Sequence, residues 1–269
     1  MIKPPDFDRL VAKLRANRQE HLLRFWRELD EAGRRQLARQ IESVDFEQLA
    51  SLYKQQSATH DWAALARQAS PPQAVRVTDR AGRKGGAARQ RGVEALKAGK
   101  IGVLLVAGGQ GSRLGFEHPK GMFSIGPVSG ASLLQIHFEK ALAVARRYGA
   151  VVPIYMMTSP VTHDEQVAFL NEHNYFGMRA EDVVLFCQGT MPAVDAGNGK
   201  LLLAEKESLF LSPDGHGGTV SALEISGAIA DMRRRGIEHL FYLQVDNPLT
   251  PICDAEFIGD HLLAESDFS

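Results

Sequence analysis

The sequence is poor in cysteine. Two occur in 269 residues, Cys187 and Cys253, and neither belongs to a CxxC pair. That argues against a disulfide framework and a zinc knuckle, and makes a reducing cytoplasm the expected compartment. Net charge is nearly absent too: 31 Lys and Arg against 32 Asp and Glu leave a formal charge of -1. Such balance removes any bulk electrostatic case for nucleic acid or an anionic membrane surface. No run of about 18 apolar residues occurs, so no membrane span is expected. The opening Met1-Ile2-Lys3-Pro4-Pro5-Asp6 is too polar to read as a signal peptide. HExxH and GxSxG are both missing, and Ser112 and Ser159 have no base nearby in sequence. Hydrolase chemistry is therefore poorly supported. His137, His163 and His173 form no metal pair and read as surface or capping residues. Internal repeats and low-complexity tracts are lacking. What remains is ordinary globular composition, 44% hydrophobic and 23% charged, in a chain long enough for a sizeable core.

Along the chain the hydrophobic period changes once. Residues 1–55 read as a helical segment. Leu10, Val11 and Leu14 recur at helical spacing, then Leu22, Leu23, Phe25, Trp26 and Leu29, then Leu37, Ile41 and Val44. Phe25 and Trp26 read as packing residues. Asp45 with Gln48 forms a capping-box pattern. Residues 56–98 read as a linker and a helix. Ser70-Pro71-Pro72 cannot continue a helix, and Arg80, Arg83 and Lys84 stand among glycines as solvated linker cations. A helix follows over 87–98, with Gly99 as its left-handed cap.

Residues 99–269 alternate strand and helix. Strands are expected at 101–107, 151–158, 183–187 and 240–245. Helices are expected at 133–148, 162–174, 222–235 and 254–263. This alternation implies an α/β fold with a mostly parallel, doubly wound sheet of nucleotide-binding type. Ligands of such sheets sit beyond the carboxyl ends of the strands.

The first strand runs into Ala107-Gly108-Gly109-Gln110-Gly111-Ser112-Arg113-Leu114-Gly115, followed by His118-Pro119-Lys120-Gly121. A dinucleotide fingerprint counted from Gly109 needs glycine where Leu114 stands, and no GK[ST] follows for a P-loop. The physical use of the glycines is nevertheless the same. Without a Cβ, backbone N–H groups can face a phosphate or a base edge. Arg113 adds a planar fork and Lys120 a compact charge. A tight turn with surface cations is the competing reading; the two cations at these offsets favour a ligand.

Three further candidates lie downstream. Asp246 follows the strand at 240–245 and so belongs on the same rim. It suits Mg²⁺, which uses one or two carboxylates with phosphate oxygens and waters; a turn residue before Pro248 is the equal alternative. Ser212-Pro213-Asp214-Gly215-His216-Gly217-Gly218 is glycine-dense enough for close ligand approach, or a plain turn. Gln188, after the third strand, has the two amide groups needed to recognise a base.

Together these stretches resemble the UTP-dependent sugar-1-phosphate uridylyltransferases, and within them the eukaryotic-type UDP-N-acetylglucosamine pyrophosphorylases. Leu104 through Gly115 with Pro119-Lys120-Gly121-Met122 is similar to the signature almost throughout. The likeness continues at Met157-Thr158-Ser159, Glu172-His173-Asn174-Tyr175-Phe176, Val184-Leu185-Phe186-Cys187-Gln188, Pro213-Asp214-Gly215 and Val245-Asp246-Asn247. Gln19-Glu20-His21-Leu22-Leu23-Arg24-Phe25-Trp26 also resembles the family's opening helical segment.

The resemblance implies a nucleotide-diphosphosugar transferase fold, with UTP, a sugar 1-phosphate, UDP-sugar and pyrophosphate as its small-molecule partners. It implies that Gly108 and Gly109 hold the uridine and that Gln188 and Gly215 recognise uracil. Arg113 and Lys120 would be the catalytic cations, His216 a substrate contact and Asp246 the Mg²⁺ ligand. His216 stands where the acetylglucosamine branch has asparagine and the glucose branch histidine; Gly218 follows the acetylglucosamine branch. The resemblance also implies further residues beyond Ser269, with another phosphate-binding lysine and a C-terminal domain.

Overall fold

A computed structural model describes residues 7–55, 61–71, 74 and 86–269. Met1 through Asp6, and the linker residues Pro72, Arg80, Arg83 and Lys84, lie outside the described residues. The chain divides into two compact units. One is Met1–Gln73 with Thr190–Pro213, the other Ala74–Gly189 with Asp214–Ser269.

The first unit is built on helices α1 (Phe7–Ala16), α2 (Glu31–Ser43), α3 (Phe46–Gln55) and α4 (Trp62–Gln68). Short acidic side chains start three of them. Asp30 accepts from the Gly33 amide, Asp45 from Gln48 and Asp61 from Ala64. The apolar run from Leu22 to Leu29 is not a second long helix. It is a 3₁₀ turn at Glu20–Leu23 followed by further turns, yet Leu22 and Leu29 are still buried.

The alternation pattern carries no sign of what completes this unit. Boundaries at 55 and 98 place 190–213 inside the α/β run, whereas that segment packs with the helices. It forms antiparallel pairs, Thr190–Pro192 with Leu211–Pro213 and Leu203–Glu205 with Ser208–Leu209. Its Leu201 and Leu209 share one core with Leu10, Leu14, Leu37 and Ile41. The backbone amides of those two leucines donate to Gln19 Oε1 and Gln40 Oε1 at 2.9 and 2.8 Å.

The second unit centres on a four-stranded parallel sheet of β1 (Ile101–Val106), β2 (Ile154–Thr158), β3 (Val183–Cys187) and β4 (His239–Gln244). The spatial order is β3-β2-β1-β4. Its helices are α5 (Gly86–Lys97), α6 (Leu133–Tyr148), α7 (His163–Glu172), α8 (Thr219–Ile225), α9 (Ala228–Arg235) and α10 (Ala255–Leu263). Gly99 takes the expected left-handed conformation at φ 67°.

Period-two alternation sends neighbouring strand residues to opposite faces. Val103, Leu105, Ile154 and Met156 pack with Leu134 and Phe138 of α6 and Ile258 of α10. Leu104, Tyr155, Met157 and Phe186 pack with Ala222 and Leu223 of α8 and Ala228 and Met232 of α9. Both faces are therefore covered, as expected of a doubly wound sheet. The single helix expected over 222–235 is two helices. Gly227, at φ 80°, takes a left-handed conformation that ends one and starts the other. Strand order reverses at β1: the chain adds β2 and β3 on one side, then β4 on the other. That reversal leaves a crevice at the carboxyl ends of β1 and β4.

Candidate functional site

β1 is buried almost throughout, and its last ladder bond comes just beyond it, where the Ala107 amide donates to Met157 O at 2.8 Å. Gly108 then leaves the sheet. The loop closes on itself: the Gly111 amide donates to His118 O at 2.9 Å and the Lys120 amide to Gly109 O at 3.0 Å. Two short 3₁₀ turns shape it, Ser112–Leu114 and Lys120–Met122, and Gly115 ends the first at φ 67°. Gly111 has no room for a side chain, since a Cβ there would stand 2.9 Å from Phe116 O and 3.0 Å from His118 O.

This closure brings the predicted residues to one rim. A Cβ on Gly108 would lie 3.0 Å from Gln188 Nε2, so the glycine and the glutamine amide are immediate neighbours. Gln188 is buried, its backbone amide tied to Thr158 O at 2.9 Å. Its side-chain amide makes no hydrogen bond among the described residues and is available to a ligand. A Cβ on Gly109 would lie 3.9 Å from Lys120 Nζ. Lys120 Nζ donates to Asp246 Oδ2 at 3.0 Å. That bond from Lys120 is the main reason the Asp246 carboxyl is held below the ordinary carboxylate range; partial burial opposes it, and the charge of Arg113 assists. Arg113 itself is exposed and forms no ion pair among the described residues. It reaches the cluster through its field alone.

Gly215 and His216 sit in a 3₁₀ turn, Gly215–Gly218, that runs into α8. Gly215 has φ 64°, which favours glycine. The Asp214 amide donates to Gly189 O at 3.1 Å, tying this turn to the residue after Gln188. His216 Nδ1 meets the Tyr242 hydroxyl of β4. Burial pushes the Tyr242 phenol up.

Three residues of this region escape sequence reasoning. Tyr242 is one, because a strand tyrosine offers no signal of a partner 26 residues away. The others are His137 and Lys140 of α6. His137 is not a surface or capping residue: it is 1% exposed, and its Nε2 donates to Val245 O at 2.9 Å. Burial holds its imidazole below the ordinary 6.5. Of the other two histidines read as surface or capping, His173 is exposed at the end of α7, and His163 is half-buried with Nδ1 2.7 Å from the Thr158 hydroxyl.

Residues 44–269 match the protein family described as UTP–glucose-1-phosphate uridylyltransferase. The chain belongs to that family. Every residue of the rim, from Gly108 to Asp246, lies inside the matched stretch. The chain is 35% identical over 265 residues to UDP-N-acetylglucosamine diphosphorylase 2 of Arabidopsis thaliana, which covers 93% of this chain and 52% of the relative. It is 42% identical over 171 residues to the UDP-N-acetylglucosamine pyrophosphorylase of Saccharomyces cerevisiae, covering 62% of this chain and 36% of that one. The crystal structure of the Trypanosoma brucei uridine diphosphate N-acetylglucosamine pyrophosphorylase with inhibitor superposes at TM-score 0.79. That match is 27% identical and covers 96% of this chain and 55% of the other. The uridylyltransferase-family chain thus shares their fold, and spans about half the length of the curated relatives it matches. Among the described residues, no helix is long and apolar enough to cross a membrane.

Proposed function

We propose that this chain carries the nucleotide half of a uridylyltransferase. In that reaction a phosphate oxygen of a sugar 1-phosphate attacks the α-phosphorus of UTP. The bond to the β-phosphate bridging oxygen breaks, and pyrophosphate leaves with the electron pair. N-acetylglucosamine 1-phosphate is the first-choice acceptor, because the relatives that match are named for that sugar. The observation that carries the reading is the Lys120–Asp246 pair, held beside Gly109 at the crevice where strand order reverses.

Each residue has a physical task. Gly108 and Gly109 let backbone amides approach the nucleotide. The free amide of Gln188, with the open backbone at Gly215, reads the uracil edge. Lys120 and Arg113 stand where negative charge develops on the phosphates and the departing pyrophosphate. His216 faces the acceptor. The chemistry makes no covalent enzyme intermediate; it rests on positioning and charge neutralisation.

Asp246 offers one ionised carboxylate, and among the described residues no cluster of three or more His, Cys, Asp and Glu could hold a metal unaided. That donor set fits Mg²⁺ taken up jointly with nucleotide phosphates. When bound, Mg²⁺ would neutralise phosphate charge. Lys120 would then exchange its carboxylate partner for a phosphate oxygen. The two cysteines are free and a cytoplasmic location belongs to the same proposal.

The test is pyrophosphate release from UTP with a panel of sugar 1-phosphates and Mg²⁺. Turnover with N-acetylglucosamine 1-phosphate is expected, with Lys120→Ala and Arg113→Ala each lowering it at least ~100-fold, the scale of one lost preorganised donor. A preference for glucose 1-phosphate, or broad use of several sugars, would reassign the acceptor. UTP binding without release would reduce the chain to a uridine-nucleotide-binding piece. Near-normal turnover in both variants would remove them from the chemistry.

A further inference from the structure

The segment from Val245 to Thr250 carries Asp246 away from the end of β4. The Val245 amide still donates to Val106 O of β1 at 2.9 Å, but beyond it the backbone bonding is thin: the Asn247 amide reaches Gln244 O at 3.2 Å and the Thr250 amide reaches Asn247 O at 3.3 Å. Three of its carbonyls are instead taken by two side chains of α6. His137 Nε2 donates to Val245 O at 2.9 Å. One turn further along, Lys140 Nζ donates to Pro248 O and, at 3.2 Å, to Thr250 O. His137 is 1% exposed, and Lys140 is half-buried. His137 Nδ1 is buried and has no hydrogen-bond partner among the described residues. The cost of burying that nitrogen unpaired is accepted, while Nε2 is kept on the carbonyl next to Asp246.

Positions 137 and 140 are three apart and so share one helix face. Either bond alone would fix one point of the segment. Together they fix carbonyls on both sides of Asp246 and bracket it. We propose that His137 and Lys140 are positioning residues which hold the Val245–Thr250 segment so that the Asp246 carboxylate meets nucleotide-bound Mg²⁺. The proposal rests on the metal role given to Asp246 above. Neither residue touches nucleotide; each acts through the backbone.

The test uses the 269-residue chain with His137→Leu, Lys140→Met and the donor-retaining His137→Gln and Lys140→Arg. Two quantities are read in each: hydrogen exchange of the 244–251 peptide, and UTP affinity by calorimetry with and without Mg²⁺. In His137→Leu and Lys140→Met the peptide should exchange faster. Mg²⁺-dependent gain in UTP affinity should fall by about tenfold, the lower end for losing a residue that orients a metal ligand. UTP affinity without Mg²⁺ should stay within about twofold, and the donor-retaining variants should resemble the parent. Lys140→Met carries the test if His137→Leu does not fold. Unchanged exchange in Lys140→Met overturns the anchor. Faster exchange with an undiminished Mg²⁺ gain overturns the positioning role. A parent chain that gains no affinity from Mg²⁺ would instead strike down the metal role of Asp246, and the exchange data would still decide whether α6 anchors the segment.

Discussion

A methyl group at position 108 has to move Gln188. The built Cβ stands 3.0 Å from Gln188 Nε2 and 3.4 Å from Ser159 Cβ, and Gln188 is itself buried, with little room to retreat. Gly108→Ala should therefore displace the amide proposed to read uracil. UTP affinity should drop about tenfold, the cost of one misaligned hydrogen-bonding partner. Calorimetry checks it, and unchanged affinity would detach Gln188 from the base. At this scale the site is legible from sequence where one residue's place follows from its own element. Gly108, Gly109 and Lys120 belong to the loop after a strand, and Asp246 to the end of another. His137 was not legible, because its meaning comes from Val245, 108 residues away. A histidine on a helix face looks the same whether it meets solvent or a carbonyl.

Two glycines decide how the helices flanking the sheet meet. A Cβ on Gly92 of α5 would lie 1.8 Å from Ala255 O, and one on Gly259 of α10 would lie 1.6 Å from Ala88 O. The two backbones touch through a reciprocal pair of bare positions. Alanine favours a helix over glycine by about 0.5–1 kcal/mol, but overpacking costs about 1–3 kcal/mol and should win. Gly92→Ala and Gly259→Ala should both lower stability in denaturant unfolding; a gain in either would mean the helices do not cross there. Helix existence was readable from apolar spacing, but this crossing was not, since a mid-helix glycine carries no address.

On the other face, Asp231 of α9 ties helix to sheet. Burial alone would raise its carboxyl, but hydrogen bonds from Tyr155 and Arg235 outweigh that and hold it below the ordinary 3.8. The Tyr155 hydroxyl lies 2.9 Å and Arg235 Nε 2.7 Å from Oδ2. The unfolded chain takes up the proton first, so this stability is present above 3.8 and lost as pH falls through the lower folded value. Denaturant midpoints at neutral pH and in acid should fall more for the parent than for Asp231→Asn. Equal acid sensitivity would show the pair to be inert.

For the whole chain, alternation of strand and helix made the parallel sheet and its two covered faces legible, because a buried strand and an amphipathic helix each announce themselves locally. The partition into two units was not legible. Residues 190–213 contain short, half-polar strands whose apolar positions find partners only among helices far earlier in sequence. Leu201 is the sharpest probe. It is 1% exposed, shares a core with Leu10, Leu14, Leu37 and Ile41, and its amide is held by Gln19 Oε1. Truncation at such a site leaves a cavity and costs about 2–5 kcal/mol. Leu201→Ala should therefore speed hydrogen exchange in α1 and α2 as well as in the 190–213 segment itself, because one core serves all three. Faster exchange confined to 190–213 would mean the segment rests on the helices without stabilising them, and the shared core would be abandoned.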